Sequence, residues 1–273
     1  MARKITAKGK QPDWHDIAEK FDLWLPHIAP VGEALLEALN ARPGDRILDV
    51  ASGTGEPALT LARRRKDVVI TGTDAAAAMV DVAKRKVEKE QLSNIQFHCM
   101  PAEQLMLADA TFDKVLCRFG VMLFENPYRG LCEMTRVLKP RGRVALAVWN
   151  TPSTMPTLCW AYRAFKGRVP PEAEPPLDVA TSMSKPGVLE ALMTEAGMRN
   201  IQIAPQAFHQ EFDSFDSYWN LVEASGLMKA QFDALPAEQR NEVRDEIALL
   251  AKTCVAENRL VIPHEFLLAT GGK

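Results

Sequence analysis

From Arg46 to Leu59 the chain reads RILDVASGTGEPAL, and no other stretch narrows the possible fold as much. The apolar, β-branched run RILDVA has the texture of a buried strand. Gly53 and Gly55 give the backbone freedom for a sharp turn, and Pro57 suits the first turn of a helix reaching Arg65. A strand passed to a helix through a glycine turn is the opening half of a β-α-β unit. The strand that completes such a unit lies parallel to the first.

The rhythm continues downstream. DVVITGTD (67–74) reads as a second strand, followed by a helix from about Ala76 to Lys89, and IQFHCM (95–100) as a third strand. FDKVLCRF (112–119) is a fourth, a helix spans about Tyr128 to Leu138, and Lys139 to Gly142 turn the chain into a fifth, RVALAVW (143–149). Ahead of this core, residues 14–24 and 30–40 carry helix-spaced apolar positions that Pro26 and Pro30 interrupt. Beyond it, prolines crowd residues 150–186 around Trp160, Tyr162 and Phe165, a texture that reads as a lid or substrate-facing insertion. A helix near Val188 to Ala196, a strand at 200–212, helical pattern at 215–226 and 236–256, and a strand at 259–270 follow. Strands alternating with helices predict an α/β fold, with a mostly parallel sheet covered on both faces and two late antiparallel strands at one edge. The expected division is an N-terminal helical cap (1–43), a cofactor-binding core (44–150), the lid insertion (151–186) and a C-terminal completion of the sheet (187–273).

Composition excludes more than it assigns. The formal net charge is −2, so no overall field attracts nucleic acid or an anionic membrane. The basic runs Arg63-Arg64-Arg65-Lys66 and Lys84-Arg85-Lys86 fall in the later turns of expected helices and read as solvated faces. Cys99, Cys117, Cys132, Cys159 and Cys254 are scattered and never paired as C-x-x-C, which predicts a reducing, cytoplasmic setting without disulfides. Cys99 and Cys117 read as small buried hydrophobes. The basic N-terminus lacks the apolar core of a signal peptide, and no apolar run reaches membrane-spanning length. No spacing typical of a zinc or calcium site occurs, so no metal is expected.

The glycine loop raises a chemical choice. Its G-x-G-x-x-A spacing, ending at Ala58, and an acid at the end of the second strand, Asp74, fit a dinucleotide and an adenosyl cofactor equally. A diphosphate at a helix start wants free N–H donors and positive surroundings. Here Pro57 removes a donor, while Glu56 and Asp49 add carboxylates. Two carboxylates within about 4–6 Å of a bound group disfavour an anion and suit a cation. The loop therefore fits the sulfonium and ammonium of S-adenosylmethionine better than it fits a nicotinamide dinucleotide.

In this order and spacing, GDRILDVASGTGEPALTLA, GTDAAAAMVDVAK, FDKVLCRFGVMLFENP and EMTRVLKPRGRVALAVW resemble class I S-adenosylmethionine-dependent methyltransferases. The likeness covers about residues 14–150 and is greatest to the ubiquinone/menaquinone-biosynthesis branch. It implies a Rossmann-like seven-stranded sheet of order 3-2-1-4-5-7-6 with strand 7 antiparallel. It also implies that Asp49, Ala51, Ser52, Gly53 and Gly55 surround the methionine part of the cofactor, that Asp74 holds the ribose, and that Ala75 and Met79 flank the adenosine. Ala102 and Glu103 are implied at the adenine and Arg118 beneath the methyl group. Similar enzymes often carry an acid where this chain has Pro101, which passes the adenine amine to Glu103 or to a backbone carbonyl.

The expected reaction is methyl transfer to a small aromatic or quinone-like molecule, at carbon or oxygen. Trp14, Phe119, Met122 and Trp149 are the candidate pocket, together with the aromatics of 160–165. A general base is needed only where the acceptor loses a proton, and His209, His264 and His15 are the candidates. Two rivals stand beside this reading: a nicotinamide-dependent oxidoreductase, and a non-catalytic partner protein that keeps the methyltransferase fold. An RNA methyltransferase would call for a basic face or an added RNA-binding domain, and the sequence has neither.

Overall fold

A computed structural model describes residues 12–273; residues 1–11, on which the reading of the basic N-terminus rests, lie outside the described residues. Its centre is one sheet. β1 (Arg46–Val50), β2 (Val69–Asp74), β3 (Ile95–Cys99), β4 (Phe112–Arg118) and β5 (Leu138–Trp149) pair in parallel in the order β3-β2-β1-β4-β5. The long strands β6 (Arg199–Phe212) and β8 (Arg259–Gly272) extend it as β5-β8-β6, with β8 antiparallel to both neighbours. This is the expected order once β8 is counted as the seventh strand. The eighth strand is β7 (Val255–Ala256), a two-residue hairpin arm on β8.

Side chains of the central strands alternate between two cores, as the period of two requires. Leu48, Val50, Val115, Cys117, Leu146 and Val148 face one side, where α5 (Pro127–Val137) and α8 (Val188–Glu195) cover them. Ile47, Leu116, Ala145 and Ala147 face the other, beneath α2 (Leu25–Leu39), α3 (Ala58–Arg64) and α4 (Ala77–Glu90). Cys117 is the buried hydrophobe expected of it, whereas Cys99 is exposed at the end of a short outer strand.

The prolines start helices more often than they stop them. α2 runs unbroken through Pro30, contrary to the expected interruption, because Pro26 stands in the first turn. Pro30 therefore forfeits a single hydrogen bond, to the carbonyl four residues back in that turn. Residues 151–186, expected to be irregular, contain α6 (Pro156–Phe165) and α7 (Leu177–Ala180). Pro156 opens α6. These helices join α9 (Phe215–Ser225), the unanticipated α10 (Lys229–Ala234) and α11 (Arg240–Ala251) around a third core. In that core Trp160 meets Tyr218 edge-on at 6.3 Å and Phe165 meets Phe232 at 5.4 Å. The helical pattern expected over 236–256 ends early, since Val255 already belongs to β7.

β6 and β8 outrun the sheet. β5 stops where Trp149 lies opposite Phe266, but β6 and β8 stay paired down to Phe212 opposite Leu260. The overhang projects past the carboxyl ends of the parallel strands, the edge at which open α/β sheets bind ligands. Pro263 is tolerated there because β5 no longer flanks it.

Candidate active site

The glycine loop and the end of β2 are tied into one unit. Val50 lies opposite Thr73, so the chain leaves both strands at the same height. Gly53 N donates to Asp74 Oδ2 at 2.8 Å and Ala76 N donates to Oδ1 at 2.9 Å, so one carboxylate fixes both turns. Ser52 N donates to Thr73 O at 2.9 Å. Behind the loop, Thr54 Oγ1 donates to Asp22 Oδ1 at 2.6 Å, and Lys86 Nζ donates to Thr54 O at 2.9 Å. Ala51 (φ 56°) and Phe119 (φ 58°) take the left-handed conformation that β-carbons resist, one at each side of the opening. Such strain persists only where the surroundings enforce it, and it clusters at functional sites. Gly120 lets the two strand ends meet: a β-carbon on it would fall 2.6 Å from Ala51 Cβ.

These elements bound a cavity of about 1060 Å³. The wall beside the glycine loop and the end of β2 holds Ala51, Ser52, Gly53, Asp74, Ala75 and Met79, and Ala102, Glu103 and Arg118 also line the cavity. Trp14, Phe119, Met122 and Trp149 line it as well, with the Phe119 and Trp149 rings stacked at 3.9 Å. Glu103 sits on the wall beyond β3, and its Oε1 accepts from Asn126 N at 3.2 Å.

Several expected residues lie elsewhere. Asp49 and Gly55 do not reach the cavity. Alternation along β1 turns Asp49 to the side of Ile47, under α2 and α3, where it is 1% exposed and neither carboxylate oxygen has a partner. Gly55, at φ 106°, is enclosed by Leu59 and Phe97. His209 points outward from β6, whose alternate residues Phe208, Gln210 and Phe212 are the buried ones, and His15 is on the exposed face of α1 (Trp14–Phe21). Of the aromatics at 160–165 only Phe165 lines the cavity; Trp160 is core, and Tyr162 lies under Lys166 Nζ at 5.1 Å.

The charges also differ from the expectation. Glu56 lies on the cavity wall, but Arg63 bridges it at 2.6 Å and Thr60 N donates to it at 3.0 Å, so its charge is compensated. Burial pushes the Asp49 carboxyl well above the usual range, and the Arg118 cation pulls back only in part. The pair of free carboxylates inferred from sequence is therefore absent, and Asp74 is the half-buried carboxylate at the rim. Burial raises its pKa too, opposed by the N–H groups of Ala76 and Gly53. The basic runs are engaged: Arg64 with Glu33, Arg65 with Asp67, Arg85 with Glu19 and Lys86 with Asp22.

Sequence reasoning missed the far chamber of the cavity. Thr157, Gln210, Trp24 and Tyr218 line it, brought together from α6, β6, the turn after α1, and α9. Thr157 Oγ1 lies 2.9 Å from His264 Nε2, and His264 Nδ1 lies 3.2 Å from Ile262 O. A carbonyl can only accept, so Nδ1 carries the proton and Nε2 accepts from Thr157. His264 itself is buried behind the threonine, and burial lowers its pKa to about 4.

A family described as "Methyltransferase domain" matches residues 48–146, the segment that builds β1 to β5 and the glycine loop. The ubiquinone/menaquinone biosynthesis C-methyltransferase of Geotalea daltonii is 36% identical over 159 residues, an alignment covering 55% of this chain and 67% of that protein. The chain belongs to the S-adenosylmethionine-dependent methyltransferases. The demethylmenaquinone methyltransferase of Deinococcus radiodurans is 40% identical over 145 residues, covering 50% of this methyltransferase and 59% of its relative. The chain thus spans about three fifths of that relative's length. In fold it is similar to the YcgJ protein of Bacillus subtilis (TM-score 0.63, 21% identity, 90% of this chain and 98% of that one). It is also similar to a Haemonchus contortus phosphoethanolamine N-methyltransferase (TM-score 0.61, 15% identity, 96% and 59%). Among the described residues of this methyltransferase, no helix is long and apolar enough to cross a membrane, and no group of three or more His, Cys, Asp or Glu could hold a metal ion.

Proposed function

We propose that this methyltransferase alkylates a small aromatic or quinone-like molecule at carbon or oxygen. The carrying observation is the continuity of the cavity: one space of about 1060 Å³ runs from Asp74 and the glycine loop to an aromatic chamber behind Trp149. The relatives from Geotalea daltonii and Deinococcus radiodurans, a ubiquinone/menaquinone biosynthesis C-methyltransferase and a demethylmenaquinone methyltransferase, point to the same substrate class.

The residues present fit the cofactor. Asp74 offers a carboxylate at the rim, Ser52 and Gly53 bring the glycine-loop backbone to the wall, and Gly120 keeps the strand ends free of a β-carbon. Asp74 is assigned to the ribose hydroxyls, Ala75, Met79, Ala102 and Glu103 to the adenosine, and Ala51, Ser52, Gly53 and Arg118 to the methionine end. Asp49 is reassigned as a buried support beneath that end. Bound S-adenosylmethionine supplies a methyl group already activated by a sulfonium.

What remains for the protein is to position the acceptor and exclude water. The Phe119–Trp149 stack offers a flat ring a parallel surface at the junction of the two regions. Thr157 Oγ1, its proton held by His264 Nε2, turns lone pairs toward an acceptor hydroxyl. His264 is too weak a base to ionise that hydroxyl. Moving a proton from a phenol of pKa about 10 to a group near 4 costs about 8 kcal/mol. The histidine therefore orients Thr157, and neither His15 nor His209 lines the cavity. The free cysteines support a reducing, cytoplasmic setting.

The test measures thermal stabilisation by S-adenosylhomocysteine and by NADH, then transfer of a labelled methyl group to a demethylated naphthoquinol. Stabilisation by the adenosyl compound with label in the quinol is expected. Stabilisation by NADH alone would install the oxidoreductase. Adenosyl binding with no transfer to any aromatic acceptor would favour the non-catalytic partner.

A further inference from the structure

Buried polar atoms are almost always hydrogen-bonded, so each exception calls for a reason. Two exceptions line the far chamber. Gln210 is 3% exposed and its Oε1 has no partner, and Trp24 Nε1 is likewise buried and unpaired. The first is an acceptor on the overhanging β6–β8 ribbon; the second is a donor from the turn that follows α1.

Both belong to one aromatic enclosure. Phe212 stands two residues from Gln210 on the same face of β6. His27 stacks on Phe212 at 4.2 Å, Trp24 meets His27 edge-on at 6.2 Å, and Tyr218 meets Phe212 at 5.3 Å. Thr157 and Tyr218 add hydroxyl groups to the chamber wall, and Met155, Leu158, Phe165, Val222 and Ile247 make the rest of it apolar.

We infer that Gln210 and Trp24 are specificity-determining residues that recognise a hydroxyl group on a neutral aromatic acceptor. This rests on the methyltransferase reading of the site. A hydroxylated ring can donate to Oε1 through its O–H and accept from the indole N–H at a ring oxygen, and so can satisfy both orphans. A bare carbonyl can only accept and leaves Oε1 unpaired. A carboxylate, phosphate or ammonium would be buried in this chamber among uncharged groups, at a cost that the carboxamide and indole cannot offset. The chamber thus selects hydroxylated rings over charged acceptors and over deoxygenated rings of the same shape. Leaving these two atoms unpaired in the free protein is a fixed cost that the correct acceptor removes, which favours discrimination over stability.

The experiment is calorimetric titration of the full chain with 2-naphthol and with 2-methylnaphthalene, each with and without saturating S-adenosylhomocysteine. It is repeated for Gln210→Met and Trp24→Phe. The wild type is expected to bind 2-naphthol at least tenfold more tightly than 2-methylnaphthalene. Each variant should lose most of that preference, mainly by weaker naphthol binding, with unchanged S-adenosylhomocysteine affinity. Because the replaced atoms have no partner, Gln210→Met should melt at or above the wild-type temperature, and a fall would mark a structural role for the amide. Equal affinity for the two probes, no binding of 2-naphthol, or full preference retained by either folded variant would overturn the assignment. If S-adenosylhomocysteine itself fails to bind the wild type, the methyltransferase reading falls; if it binds and the naphthol preference is absent, only the hydroxyl assignment falls.

Discussion

The carboxylate of Asp74 accepts the Gly53 backbone N–H at 2.8 Å and so joins the end of the second strand to the glycine loop of the first. In the proposed assignment the side chain that holds the ribose also shapes the glycine loop, which couples the proposed role to local stability at this residue. Replacing it by alanine removes the assigned partner of the ribose and leaves two loop N–H groups unsatisfied. Asp74→Ala is expected to weaken S-adenosylhomocysteine binding at least tenfold and to cost about 1–3 kcal/mol of stability. Asp74→Asn, which keeps an acceptor for Gly53, should recover most of the stability but less of the affinity. Titration calorimetry and urea unfolding check the two effects separately. Unchanged affinity in the alanine variant would remove Asp74 from the cofactor site.

A second prediction concerns Gly120. A β-carbon there would lie 2.6 Å from Ala51 Cβ and 2.7 Å from Cys117 Sγ. Neither neighbour is a flexible tip that can move aside, so the ends of β1 and β4 would have to separate. Gly120→Ala should cost about 1–3 kcal/mol through overpacking and weaken cofactor binding along with stability. Full cofactor affinity in a destabilised protein would show that the approach of these strand ends serves folding alone.

Local pattern carried the sheet and the near wall of the site. The first four strands, from Arg46 to Arg118, are short and bounded by turn residues, so their limits could be read within two residues. β5 instead begins at Leu138, five residues ahead of the expected Arg143, and the expected turn Lys139 to Gly142 lies inside the strand, where its pairing with β4 shifts register. Residues that directly follow strand ends, from Ala51 to Phe119, reached the cavity because the topology leaves them nowhere else to go. Asp49 did not, because alternation along β1 decides its direction and nearness to the strand end does not. The proline-rich segment hid two helices, since a proline at a helix start looks in sequence like one that breaks a helix. The far chamber was illegible for another reason. Trp24, Thr157, Gln210 and Tyr218 come from four separate elements and converge only through tertiary packing, with no spacing to mark them.

A third prediction tests the ring stack. Trp149 closes the fifth strand and lies against Phe119 at 3.9 Å, with the Phe208 ring 6.1 Å away. Trp149→Leu keeps an apolar residue but removes the flat surface offered to an acceptor ring. The expected result is a loss of tenfold or more in kcat/KM for an aromatic acceptor, with S-adenosylhomocysteine affinity within twofold of wild type. Aromatic stacking of about 0.5–1.5 kcal/mol plus lost alignment accounts for that size. Equal losses for cofactor and acceptor would place the tryptophan in general support of the cavity.

The last prediction separates the two roles open to His264. Its pKa falls from 6.5 to about 4 because burial disfavours the charged ring. Between those values the unfolded chain binds a proton that the folded one refuses. The stability owed to this group is therefore complete above pH 6.5 and is lost as pH falls toward 4, amounting to about 3 kcal/mol. Asp49 acts in the opposite sense, since its raised pKa makes the folded state the better proton binder as pH falls. The quantity to measure is thus the difference between wild type and His264→Gln in urea unfolding from pH 4 to pH 8, which cancels the Asp49 contribution. That difference should shift by about 3 kcal/mol across the range, in favour of the wild type at high pH. In activity, a histidine that only orients Thr157 gives no inflection near pH 6.5 in kcat/KM, and the glutamine variant, which can still accept from the threonine, should keep a tenth or more of the wild-type rate. A loss of a thousandfold or more, with a wild-type profile that falls below pH 6.5, would make His264 the proton acceptor after all and Thr157 its relay.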